Sequence, residues 1–301
     1  MNELENLIFT EKYRPKNFDE LILENKEKLI NYLRNPKMLP SFLFYSSSPG
    51  TGKTSCAKLI IKTLNCDALR INSSDERGID TIREKIKLFA RSMSSNDVKR
   101  CIFLDEADGL TTIAQDSLRN IMETYSDNCF FILTANDVSK IIEPLKSRCV
   151  VFNFENPDEE KILQRLEYIC KQENIKYTIE ELDELVQSYY PDIRSMILVL
   201  QDAKLNNKSI TSFKQINLDY LQAIKKHDIK YLYEKVYNGE LDIQAFTRWL
   251  FRYLFDNYEK FKFSNLQKMA YHLADIEKYV HLGVNKEIVF LSNIIQLINL
   301  L

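Results

Sequence analysis

The chain is poor in several things, and each shortage excludes something. Among its 301 residues there are three histidines, at 227, 272 and 281. None lies near the glycine-containing loop or the acidic cluster described below, which argues against histidine-based catalysis. Its six cysteines (Cys56, Cys66, Cys101, Cys129, Cys149, Cys170) never form a C-x-x-C pair. That pattern argues against a zinc site and a disulfide framework and fits a reduced, intracellular compartment. Neither sign of charge is in excess: the formal net charge is −2. Any nucleic-acid site must therefore be a local patch. Long apolar runs are missing too. The most apolar late stretch, Ile288 to Leu301, is broken by Ser292, Asn293, Gln296 and Asn299, too short and polar to span a bilayer. The acidic opening Met1-Asn2-Glu3-Leu4-Glu5 is no signal peptide. No membrane partner is expected, and no internal repeat or low-complexity tract is evident.

What is present is ordinary in amount, with 45% hydrophobic and 28% charged residues. The length suits two or three domains. The informative segment is Ser46-Ser47-Ser48-Pro49-Gly50-Thr51-Gly52-Lys53-Thr54-Ser55. It follows the apolar run Phe42–Tyr45 and precedes a helix-compatible stretch to Leu64. Strand, glycine turn and helix N-terminus together make an anion site, with backbone N–H groups turned inward. The spacing reads as a phosphate-binding loop for a nucleoside triphosphate. Gly50, Thr51, Gly52 and Ser55 belong to the wrap. Lys53 reaches the β/γ-phosphates, and the Thr54 hydroxyl is a candidate Mg²⁺ ligand. The usual first glycine of the pattern is Ser47.

A second element follows about fifty residues on. Cys101-Ile102-Phe103-Leu104 reads as an apolar strand ending in Asp105-Glu106-Ala107-Asp108. A Mg²⁺-dependent NTPase needs such carboxylates: Asp105 to hold the metal, usually through water, and Glu106 to polarise the attacking water. Alone, acids after a strand are a solvated turn. After a phosphate loop they are catalytic candidates.

Up to about residue 155, short apolar runs (Phe42–Tyr45, Ala68–Ile71, Cys101–Leu104, Cys129–Leu133, Val150–Phe154) alternate with helical stretches near 53–64, 79–93, 112–125 and 139–147. This pattern predicts a parallel sheet covered on both faces, with ligands beyond the C-terminal strand ends. Asn156-Pro157-Asp158 breaks it. Residues 157–210 read as three helices, the second opened by a capping box at Thr178-Ile179-Glu180-Glu181 and the third following Tyr190-Pro191-Asp192. From about 215 the chain is again helical. Its aromatic stripe Phe246, Trp249, Leu250, Tyr253 reads as core or subunit interface. Ile79, Ile82, Ile86 and Phe89 share one face of the 79–93 helix, while Arg83, Lys87 and Arg91 form a basic ridge on another. By spacing alone that ridge is a solvated face.

Taken together, Glu11-Lys12-Tyr13-Arg14-Pro15, Pro49–Thr54, Ser74-Asp75-Glu76-Arg77-Gly78-Ile79-Asp80, Leu104–Asp108, Lys140–Leu145, Ser147-Arg148-Cys149 and Pro191-Asp192-Ile193-Arg194 stand in an order that resembles the AAA+ subunits of sliding-clamp loaders. Both the replication factor C small-subunit branch and the T-even-type phage branch are similar. The likeness covers residues 7–200; beyond that it is helical content only.

The resemblance implies an α/β AAA+ P-loop NTPase domain with a parallel sheet over 1–155, a small helical lid over 156–212 and an all-α collar over 213–301. It implies that Thr10, Glu11, Lys12, Tyr13 and Ile22 wrap the adenine, the segment kept extended by Pro15, that Asn136 senses the γ-phosphate, and that Arg194 touches the phosphates. Arg148 would act as an arginine finger on the ATP of an adjacent subunit. The 79–93 helix would track duplex phosphates, with Arg83 the best-matched position. The implied partners are other clamp-loader subunits in a pentameric assembly, a sliding clamp and primer–template DNA. Two alternatives stay open on sequence: another AAA+ DNA-processing ATPase, such as a helicase loader or branch-migration motor, and a structural subunit that binds ATP with little hydrolysis. Intact Lys53, Thr54, Asp105 and Glu106 argue against the second.

Overall fold

The computed structural model describes residues 8–73, 79–92, 98–206, 210 and 212–300, except the side chains of 79–83, 212–216 and 281. The segment Ser74–Gly78, part of the resemblance above, lies outside the described residues. The chain forms two compact units. One contains the residues up to Arg165 together with Pro191–Gln201; the other contains Leu166–Tyr190 and Asp202–Leu301.

The first unit is built on five parallel strands: β1 (Ser41–Tyr45), β2 (Ala68–Asn72), β3 (Arg100–Asp105), β4 (Cys129–Ala135) and β5 (Cys149–Asn153). Their spatial order is β2-β3-β4-β1-β5. Phe42 of β1 faces Ile132 of β4, and Leu104 of β3 faces Leu133 of β4. β4, Cys-Phe-Phe-Ile-Leu-Thr-Ala, is buried throughout, as a central strand covered on both faces requires. The outer strands β2 and β5 carry exposed positions instead. Alternation divides the core. Phe42, Phe44, Phe103, Phe130 and Ile132 pack on one face with Leu59 and Ile60 of the helix Lys53–Leu64. Leu43, Ile102, Leu104, Phe131 and Leu133 pack on the other with Ile86, Leu118 and Ile121.

In chain order the helices of this unit are α1 (Phe9–Lys12), α2 (Lys26–Leu33), α3 (Lys53–Leu64), α4 (Ile79–Arg91), α5 (Thr112–Thr124), α6 (Glu143–Lys146) and the first half of α7 (Glu159–Glu173). The single helix expected over 139–147 is two pieces. A 3₁₀ turn at Val138–Lys140 ends in extended backbone at Ile141 and Ile142, and α6 then begins with Pro144 in its first turn. Proline lacks the N–H and clashes with a preceding turn, so it starts a helix rather than continuing one. Thr10–Lys12 are likewise helical rather than extended, because the restriction imposed by Pro15 reaches only the residue before it.

The second unit is helical: the rest of α7, α8 (Ile179–Tyr189), the end of α9 (Ile193–Leu205), α10 (Ser212–Lys225), α11 (Ile229–Tyr237), α12 (Ile243–Asp256), α13 (Phe263–His281) and α14 (Lys286–Ile298). The capping box is formed: Thr178 Oγ1 accepts from Glu181 N at 3.2 Å, and Thr178 N donates to Glu181 Oε2 at 2.8 Å. Phe246 and Leu250 are buried with Leu273, Phe290 and Ile294. Trp249 stacks between Phe246 and Tyr253, with centroids 5.8 and 5.3 Å away, so the aromatic stripe is core.

Candidate nucleotide-binding site

The strand order brings the C-terminal ends of β1, β3 and β4 side by side, where the chain crosses between neighbours. A cleft of about 450 Å³ opens there, within the range of small-molecule sites.

The loop after β1 forms one wall. Gly50 and Gly52 have φ of 71° and 102°, a region that favours glycine. Gly50 is doubly constrained, since a Cβ there would lie 1.6 Å from Asp192 Oδ1. Ser47 does not take positive φ, so serine serves where the usual pattern has glycine. Gly52 caps α3 without a side-chain hydrogen bond, leaving the first N–H groups of the helix for an anion. Lys53 is 8% exposed. Its ammonium donates to Ser46 O at 3.2 Å and Ser48 O at 2.9 Å. Burial pushes its pKa down to about 8; Asp108 and Asp105 oppose the shift, while Arg194 adds to it. The Thr51 hydroxyl is buried with no hydrogen-bond partner.

The end of β3 forms the floor. Asp105 Oδ1 accepts from Thr54 Oγ1 at 3.0 Å and from Thr134 Oγ1 at 2.5 Å. Glu106 is exposed and has φ 57°, ψ 46°, a left-handed conformation that costs a non-glycine residue on the order of 1–3 kcal/mol. Its N–H donates to Thr134 Oγ1 at 3.0 Å. Asp108 Oδ2 accepts from the N–H groups of Asn136 and Asp137 at 3.2 and 3.0 Å.

Of the sequence-derived candidates, Thr10, Glu11, Tyr13, Ile22, Gly50, Thr51, Gly52, Lys53, Thr54, Ser55, Asp105, Glu106, Asn136 and Arg194 all line this cleft. Lys12 and Arg148 are not among its lining residues. The Lys12 ammonium lies 5.9 and 5.4 Å from the ring centroids of Phe9 and Tyr13. Arg148 donates to Pro144 O at 2.6 Å and pairs with Glu123. On α4, Lys87 pairs with Glu84 at 3.5 Å and Arg91 Nε donates to Tyr125 Oη at 3.2 Å; the Arg83 side chain lies outside the described residues.

Several lining residues carry no sequence signal. Thr134 belongs to the run Thr134-Ala135-Asn136 at a strand end, but nothing in that run signals a contact with Asp105, far away in the chain. Arg165 donates to Tyr13 O at 2.9 Å and pairs with Glu20 at 3.0 Å, clamping the segment that borders the cleft. Its only hint is an arginine on an otherwise ordinary amphipathic helix.

Residues 43–156 match the family model described as ATPase family associated with various cellular activities (AAA). Fold, loop and paired carboxylates therefore define a nucleotide-binding AAA ATPase. Among solved structures, the chain is similar to the Thermotoga maritima RuvB Holliday junction branch migration motor: TM-score 0.56, 17% identity, 79% of this chain and 85% of that one covered. At that identity the likeness is one of fold. Curated relatives are nearer in sequence. Replication factor C small subunit 1 of Pyrobaculum islandicum is 36% identical over 309 residues, covering 94% of this chain and 91% of that protein. The replication factor C small subunit of Methanococcus maripaludis (strain DSM 14266) is 39% identical over 240 residues, covering 77% and 75%. The chain belongs to the replication factor C small-subunit family, the clamp-loader subunits of DNA replication.

Proposed function

We propose that the chain is an ATP-driven, Mg²⁺-dependent subunit that opens a sliding clamp and loads it on primer–template DNA, in a pentameric assembly with other clamp-loader subunits inside the cell. The carrying observation is the convergence of Lys53, the Thr54–Asp105 pair and Glu106 in one cleft. The partnerless Thr51 hydroxyl, the uncapped start of α3 and the buried ammonium fit a triphosphate. The hydroxyl and carboxylate of Thr54 and Asp105, hard oxygen donors 3.0 Å apart, fit Mg²⁺. When bound, the ion neutralises phosphate charge.

Thr10, Glu11, Tyr13 and Ile22 hold the adenine end, and the Gly50–Ser55 backbone holds the phosphates. Glu106 takes a proton from water as its oxygen bonds to the γ-phosphorus and the bond to the ADP oxygen breaks. Asn136 senses the γ-phosphate, and Arg194 touches the phosphates. Arg148 serves the ATP of the adjacent subunit; its place outside its own cleft supports that reading. Arg83, Lys87 and Arg91 follow DNA phosphates. In this reading residues 1–155 are the nucleotide-binding domain, 156–212 the lid and 213–301 the collar. Among the described residues, no helix is long and apolar enough to cross a membrane.

The test combines the full chain with a candidate clamp and companion subunit and measures ATPase with and without primed DNA. Turnover stimulated by clamp and primed DNA together is expected. ATPase indifferent to both would overturn the reading.

A further inference from the structure

We infer that Thr134 is a positioning residue for hydrolysis, one buried hydroxyl setting both the carboxylate of Asp105 and the backbone of Glu106. The inference rests on the cleft being the ATPase site proposed above. Thr134 is the sole oxygen-bearing side chain in the otherwise apolar β4 and is 2% exposed. A hydroxyl has one proton to give and lone pairs to receive. Here the proton goes to Asp105 Oδ1 at 2.5 Å, and a lone pair receives the Glu106 N–H at 3.0 Å. Thr54 Oγ1 stands 3.0 Å from the same Oδ1. Two hydroxyls on one oxygen fix the plane of the carboxylate and so the direction of its second oxygen.

The other bond acts on the backbone. Glu106 adopts φ 57°, which glutamate disfavours, and such a conformation persists only where its surroundings over-determine it. The Thr134 oxygen holds the N–H at that bend. A single atom thus joins the arm that would carry the metal to the arm that would activate water. Valine would fill nearly the same space but leave the Glu106 N–H without its acceptor, so the readouts that count are the Mg²⁺ response and turnover as well as folding.

The decisive comparison is Thr134→Val against Thr134→Ser in the full chain. Fluorescent ATP-analogue binding is measured in EDTA and with MgCl₂, amide exchange is followed at Glu106, and turnover is measured in the assembled complex. Thr134→Val is expected to bind the analogue in EDTA within about twofold of wild type and to lose most of the gain that MgCl₂ confers. Turnover should fall about 10–100-fold, the usual cost of removing a group that orients a metal ligand. The Glu106 amide should exchange faster, and Thr134→Ser should stay near wild type in every readout. A valine variant with wild-type Mg²⁺ response, exchange and turnover overturns the inference. If it does not fold, Thr134→Ala takes its place; failure of both to fold while the serine variant does makes the hydroxyl a stability element and also overturns it. Wild type and Asp105→Asn separate the two levels. If their Mg²⁺ response is the same, the proposed ATPase reading fails; if it differs and only the Thr134 variants are silent, this inference alone fails.

Discussion

Lys53 is buried and Glu106 is exposed, and replacing them should fail in different ways. Lys53→Ala removes the charge facing the phosphates, so nucleotide affinity should drop. Glu106→Gln keeps shape and loses the base, so binding should persist while turnover falls by about two orders of magnitude or more. Equal loss of affinity in both, measured by calorimetry, would contradict these roles. The ammonium also makes binding pH-dependent. Its pKa stands at about 8 in the free protein, and arriving phosphates raise it. Below that pH it is charged in both states and contributes no pH dependence of its own. As pH rises through 8, binding must take up a proton, so affinity in EDTA should weaken by up to about tenfold per unit. Calorimetry in two buffers of different ionisation enthalpy should show the uptake, and Lys53→Ala should abolish it. Folding has the opposite sign: the folded pKa lies below the ordinary 10.5, so the unfolded chain binds the extra proton. Lys53 therefore adds stability as pH rises from 8 toward that value.

At the scale of elements, motifs spelled within one loop were legible and those spelled across strands were not. Gly50–Ser55 and Asp105–Glu106 are contiguous runs whose chemistry needs no tertiary knowledge. Thr134 meets Asp105 only because β4 lies beside β3, and no local pattern announces that pairing. The strands were readable from apolar length, whereas the 139–147 helix was not, because Ile141 and Ile142 suit helix and strand alike and Pro144 decides between them. The basic ridge on α4 was legible as spacing, but its engagements were not. Lys87 already has Glu84, and Arg91 has Tyr125 on the turn after α5. If the helix follows DNA phosphates, Arg83→Ala, Lys87→Ala and Arg91→Ala should each lower affinity and reduce the salt slope by about one. Fluorescence anisotropy over a salt series checks this. An unchanged slope in all three would leave the ridge a solvated face.

At the scale of the whole molecule, Arg148 separates an assembly from a lone enzyme. Arg148→Ala should bind nucleotide at its own Lys53 site nearly as wild type does. The assembled ATPase should fall by about 10³-fold or more. Rings mixed from Glu106→Gln and Arg148→Ala subunits should regain activity, because a sound finger then faces a sound base at some interfaces. No recovery in rings verified to be mixed would make the finger assignment wrong. The sheet order carries a further consequence, for how the protein is made. β1 pairs only with β4 and β5, both distant in sequence, so closing that contact pays the entropy of a long loop. A nascent chain that has not yet delivered β4 holds its phosphate loop on a strand without a neighbour. The site cannot ripen piecemeal as the ribosome advances. It can be completed only once β4 has joined β1, and from then on bound nucleotide can draw the folded domain away from its unfolded forms.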